Sequence, residues 1–150
     1  MRGRVRAHVT QRQRLGMALE MGEERHVAGQ VRDVGGATLP LAQAEEAGHI
    51  VGPRLVFCGK ALSQTGGHSD YRGFTDNRSA EHQTYRLGAM GRVCDGVEAV
   101  RLACRDEIRQ GAKFIKAMAN GGVSSPTDPI NFLQFSVSEL EAIVEEAANA

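Results

Sequence analysis

The chain has no stretch approaching the roughly 20 apolar residues that a membrane span requires, and its start lacks the apolar core of a secretory signal. These absences point to a cytoplasmic protein with no membrane partner. Charge of one sign is not in excess: 18 lysines and arginines balance 18 aspartates and glutamates. The summed field therefore offers no general attraction for nucleic acid. Cysteine is scarce and odd in number, with Cys58, Cys94 and Cys104 in strand-like or helix-like runs and no C-x-x-C pair. That argues against a disulfide framework and suits buried thiols in a reducing compartment. No H-x-H, H-E-x-x-H or C-x-x-C occurs, so no complete zinc site can be assembled from local motifs. A nucleophile elbow, a phosphate loop and a dinucleotide-binding G-x-G-x-x-G after a strand are equally missing.

What is present is enough for one core: 150 residues, 41% of them apolar, near the common size of a single domain. Residues 1–29 form a poorly defined N-terminal segment, read as helical over 10–24. Arg2, Arg4, Arg6, Arg12 and Arg14 lie at its start without an acid among residues 1–14. No aromatic residues interleave with them to stack on bases, so they read as a solvated terminus.

From Gln30 onward short apolar strands alternate with helices, the pattern of parallel β/α units. Gln30 to Val34 is strand-like and stops at Gly35-Gly36. Thr38 is placed to cap a helix that carries Leu41, Ala44 and Ala47, with Pro40 in its first turn and Gly48 at its end. Arg54 to Gly59 reads as the second strand, followed by a long polar segment to Met90. A connection of that length leaving the carboxyl end of a parallel strand is where α/β folds place their sites. Asp95 and Glu98 have capping-box spacing before a helix with Val97, Val100, Cys104 and Ile108 on one face. The third strand spans Lys113 to Met118. Ser136 and Glu139 repeat the capping box ahead of a last helix, whose apolar face is Leu140, Ile143, Val144 and Ala147.

Three loop starts would gather at one end of such strands: Asp33 to Gly36, Thr65 to His68, and Asn120 to Ser125. Their paired glycines permit close approach of backbone amides to a ligand. Lys116 stands in an apolar run between Phe114 and Met118. A desolvated lysine loses its proton more readily and can then act as nucleophile, base or carbamate precursor. The alternative is a lysine at a strand end that snorkels to water along its own stem. His68 is a candidate metal ligand, acid or base, or donor to a substrate carboxylate, against the reading of an exposed loop histidine. Asp33 is better placed to hold its loop by hydrogen bonds than to touch a substrate.

The runs Val31-Arg32-Asp33-Val34-Gly35-Gly36, Thr65-Gly66-Gly67-His68, Lys113-Phe114-Ile115-Lys116, Gly121-Gly122-Val123 and Ser125-Pro126-Thr127-Asp128 come in an order and spacing that carry information together. Over residues 30–150 the chain resembles metal-dependent amidohydrolases of the imidazolonepropionase-like and Xaa-Pro dipeptidase-like branch. The resemblance implies a (β/α)8 barrel, of which this chain would be the second to fourth units and hence incomplete. It also implies one or two divalent metals, usually zinc, and hydrolysis of small amides such as dipeptides or N-acyl amino acids by a metal-activated water. Lys116 matches the strand lysine that becomes carboxylated and bridges the metals, and His68 matches the loop histidine near the substrate. The remaining ligands of that family have no counterpart here. The expectation is a chain with little activity alone that forms a homo-oligomer; the competing expectation is a non-catalytic, truncated α/β module that self-associates.

Overall fold

The structure is a computed structural model that describes residues 29–123 and 127–150. The helix expected over 10–24 and the arginines of the first 14 residues lie outside them. The described part is a mixed α/β fold in which all strand ladders are parallel. Strand β1 (Gln30–Asp33) pairs with β2 (Arg54–Phe57), Gln30 opposite Arg54 and Asp33 opposite Phe57. Helix α1 (Leu39–Glu46) joins them. The turn out of β1 is held as expected by Asp33, whose Oδ1 accepts from the amides of Gly35 and Ala37, each at 3.0 Å. Thr38 is the N-cap residue of α1, yet its side chain makes no capping bond.

The long polar connection is the main departure from expectation. The segment to Met90 contains β3 (Ala61–Ser63) and α2 (Ala80–Tyr85), and β4 (Gly91–Val93) follows it directly, with β3 and β4 paired in parallel. Three-residue strands set among glycines and polar residues leave no apolar alternation long enough to read. The expected second strand ends at Phe57, and the chain turns at Cys58-Gly59-Lys60 before β3 starts.

That turn is fixed by a buried carboxylate from helix α3 (Val97–Arg109). Glu107 is 2% exposed. Its Oε2 accepts from the Lys60 amide at 3.0 Å and its Oε1 lies 3.3 Å from a guanidinium nitrogen of Arg92 in β4. Gly59 has φ +70°, and a Cβ there would sit 2.3 Å from Glu107 Oε2, so both conformation and space call for glycine.

The expected third strand, Lys113 to Met118, forms no regular ladder. It runs extended beside both β2 and β3: Lys113 donates its amide to the Phe57 carbonyl at 2.8 Å, Leu62 donates to Lys116 O at 2.8 Å, and Met118 donates to Leu62 O at 2.9 Å. The break at residues 58–60 in its neighbour interrupts the pairing, leaving one parallel bridge between Leu62 and Ala117.

The core lies between β3 and two helices, α3 and α4 (Val137–Ala148). It comprises Leu62, Cys94, Val100, Ala103, Cys104, Phe135, Ala142 and Ile143. Full burial of a side chain such as Leu62 is worth about 1.5–3 kcal/mol. The three cysteines are free and buried. Burial pushes their thiols up, to about 11 for Cys58 and Cys104 and about 12 for Cys94. The capping box of α4 forms as expected, but its inward face is Ala142, Ile143 and Glu146, while Val144 is 67% exposed. The reason is electrostatic: Arg101 and Arg105 of α3 both reach Glu146, at 2.8 and 2.7 Å, and draw that carboxylate toward the interface. No helix among the described residues is long and apolar enough to cross a membrane.

Two outcomes follow from these contacts. Glu107→Ala leaves the Lys60 amide without its acceptor and removes one partner from buried Arg92; a lowered urea midpoint corresponding to about 3 kcal/mol is expected. The guanidiniums of Arg105 and Arg101 hold Glu146 down at about 2, against 4.5 ordinarily. A depressed carboxylate contributes its full share above pH 4.5 and loses it as pH falls toward 2. Thermal unfolding of the wild type should therefore weaken over that window more steeply than unfolding of Glu146→Gln.

Candidate functional site

The loop that follows β3 is shaped by side chains, since it has almost no apolar residues to bury. Asp95, placed by sequence at a helix cap, instead accepts from the Thr65 amide at 2.8 Å and the Thr65 hydroxyl at 2.7 Å. Gly96, not Asp95, is the N-cap residue of α3. Asp70 accepts from the Gly66 amide at 2.9 Å and pairs with the Arg72 guanidinium at 2.6 Å. Burial opposes the charge on Asp70, but the hydrogen bonds from Arg72 and Gly66 outweigh it and hold the carboxyl below its ordinary value. Ser63 Oγ accepts from the Ser69 amide at 3.1 Å. Gly67 is packed so closely that a Cβ would lie 2.5 Å from Ser63 Oγ.

These contacts carry His68 to a fixed position. Its amide donates to Gln134 Oε1 at 3.0 Å, and its Nδ1 lies 3.2 Å from Asp128 Oδ2. Gln134 Nε2 donates to the same Oδ2 at 3.0 Å. Asp128 is 1% exposed and Gln134 2%. The ring lies against the backbone of the third glycine loop, where a Cβ on Gly122 would come within 1.8 Å of His68 Cε1. That loop is closed across its base by bonds from Gly122 N to Asp128 O at 3.2 Å and from Gly121 N to Phe132 O at 3.0 Å. His68 is thus not a free loop histidine; it is the meeting point of two loops.

Lys116 is half-buried beside β3. Ile115 and Ala117 pack on the core cluster, so strand alternation puts Phe114, Lys116 and Met118 on the opposite face, away from α3 and α4. On that face the Arg32 guanidinium stacks over the Phe114 ring at 4.4 Å. The charge of Lys116 acts on the Cys58 thiol, a smaller effect than the burial of that thiol. His68 lies in the loop beyond the carboxyl end of β3, whereas Lys116 runs beside the strand itself, one residue before Ala117, the bridge partner of Leu62. Among the described residues no group of three or more His, Cys, Asp or Glu side chains is placed to hold a metal ion. They do not fit a complete divalent-metal site, which needs about three protein ligands.

Asp128 and Gln134 are neighbours of His68 that sequence spacing did not single out. Asp128 stands inside the Ser-Pro-Thr-Asp-Pro run, but it reaches His68 across 60 residues, a distance that no local pattern encodes.

Comparison with known proteins identifies the family. The profile of the amidohydrolase family matches residues 16–150. An ochratoxinase of Aspergillus niger is 47% identical over 124 residues, covering 78% of this chain and 26% of the relative. The crystal structure of a prolidase complexed with N-methylphosphonate-L-proline superposes with a TM-score of 0.77 at 55% identity, over 80% of this chain and 29% of that one. That of a Xaa-Pro dipeptidase with bound methionine in the active site gives 0.63 at 26% identity, over 97% of this chain and 36% of that one. The chain thus spans about a quarter of the length of the curated relatives it matches.

The seat of His68 can be tested at Gly122. Gly122→Ala places a methyl group where the ring lies, so His68 must leave Asp128. The His68 ring resonances should shift strongly in a carbon–proton correlation spectrum, while those of the α3 and α4 core methyls stay in place.

Proposed function

Because the chain belongs to the amidohydrolase family, we propose that it is part of an amide-bond hydrolase acting on small substrates such as dipeptides or N-acyl amino acids. Its parallel β/α units are then successive units of a (β/α)8 barrel, and the carboxyl end of β3 is the substrate side. The observation that carries the reading is the fixed His68: a ring held by Asp128 and seated against Gly122, in the loop that leaves the carboxyl end of β3. His68 contacts the substrate. Lys116 is this chain's contribution toward the divalent metals that the family generally uses, with zinc the first candidate. The described residues do not complete that metal site, so hydrolysis requires ligands beyond them and the chain alone has little turnover.

The reading is tested by grafting residues 30–150 into the prolidase that is 55% identical, in place of its matching segment. The graft should hydrolyse dipeptides, and the isolated chain should not rise above background with added zinc and bicarbonate. In the graft, His68→Ala should lower kcat/KM by about 100-fold or more. Lys116→Ala should exceed the ~100-fold cost of losing an outer-shell partner and lower the bound metal. A folded graft without activity, or full activity in either variant, overturns the assignment.

A further inference from the structure

The hydrogen bonds around His68 determine which ring nitrogen carries the proton. A backbone N–H can only donate, so the Gln134 atom 3.0 Å from His68 N is the amide oxygen, and the Gln134 amide nitrogen consequently faces Asp128. Asp128 Oδ2 accepts from that nitrogen at 3.0 Å. It is therefore the acceptor oxygen of the carboxyl group whatever the protonation of Oδ1. The His68 Nδ1 that approaches the same Oδ2 at 3.2 Å has to be a donor. Two donors converge on one oxygen, and the His68 amide completes a closed ring of bonds through Gln134.

Asp128 itself is 1% exposed, and its Oδ1 has no hydrogen-bond partner among the described residues. A carboxylate so placed is poorly solvated and gains most from a strong donor at Oδ2, which an imidazole N–H supplies. A half-turn of the ring would bring carbon Cδ2, not Nε2, to the place where Nδ1 meets Oδ2, so the flipped ring offers that oxygen no nitrogen donor.

We infer that Asp128 is a positioning residue that holds Nδ1 of His68 as a proton donor, so that whenever the ring is neutral it is the Nδ1–H tautomer and presents the lone pair of Nε2 to the ligand. Nε2 has no partner among the described residues, and the side chain is 30% exposed. In this form His68 accepts from an N–H or O–H group of a bound amide rather than donating to its carboxylate. Gln134 sets the orientation of the carboxyl group. The inference rests on the reading of His68 as substrate-facing for its functional meaning, and on hydrogen-bond geometry alone for the tautomer.

The test is long-range nitrogen–proton correlation on the full chain with labelled histidine, at a pH where imidazole is neutral and without substrate. His68 should show a protonated-type Nδ1 and a bare Nε2, the reverse of the form that free histidine prefers in water. In Asp128→Ala the Nε2–H form should become the major one. A wild-type His68 carrying its proton on Nε2 overturns the inference, and that spectrum decides even if Asp128→Ala does not fold. Since no turnover is needed, failure of the grafted hydrolase and failure of the tautomer are separate results.

Discussion

Glu107 is the constraint on which the site depends. A carboxylate removed from water must find donors, and this one finds the Lys60 amide and the Arg92 guanidinium. Its two oxygens thereby tie the turn between β2 and β3 to β4 while the residue itself belongs to α3. The direction in which β3 leaves that turn decides where Thr65 to His68 can go. A strand continuing straight from Phe57 would pair along the whole of Lys113 to Met118; the turn limits the pairing to one bridge and sets β3 against β4 instead.

A second theme is the division of labour between apolar and charged groups. On the helix side, cohesion comes from ordinary burial of Leu62, Val100, Cys104 and Ile143. At the loop side it comes from aspartates: Asp33 for the first turn, Asp70 and Asp95 for the second, Asp128 for the third. Short side chains that accept from nearby amides are suited to turns that contain paired glycines and little to bury. Loops built in this way keep their backbone close to a ligand without filling the space with apolar bulk.

The fold was legible in the sequence where periodicity was long. The stripe of α3, the capping box of α4, the β1 turn and the buried thiols were all readable because each depends on residues a few positions apart. β3, α2 and β4 were hidden, being too short to show a period. The role of Asp95 was misread for a related reason: its spacing to Glu98 is that of a cap, but its partner, Thr65, lies 30 residues away. The inward turn of Glu146 depends likewise on arginines of another helix. Of the site, His68 and Lys116 stood out through neighbouring glycines and an apolar run, whereas Asp128 and Gln134 acquire meaning only once the third loop folds back over the second.

Glu139 links two helix starts. It caps α4 by accepting from the Ser136 amide at 2.7 Å, and its other oxygen accepts from the Gly96 amide at 2.6 Å, at the beginning of α3. Helix α3 has no side-chain cap of its own, since Asp95 is engaged by Thr65. Fraying of either first turn withdraws the shared carboxylate from the other. The two helix beginnings therefore open as one unit, and because Asp95 adjoins Gly96, that unit borders the loop that carries His68.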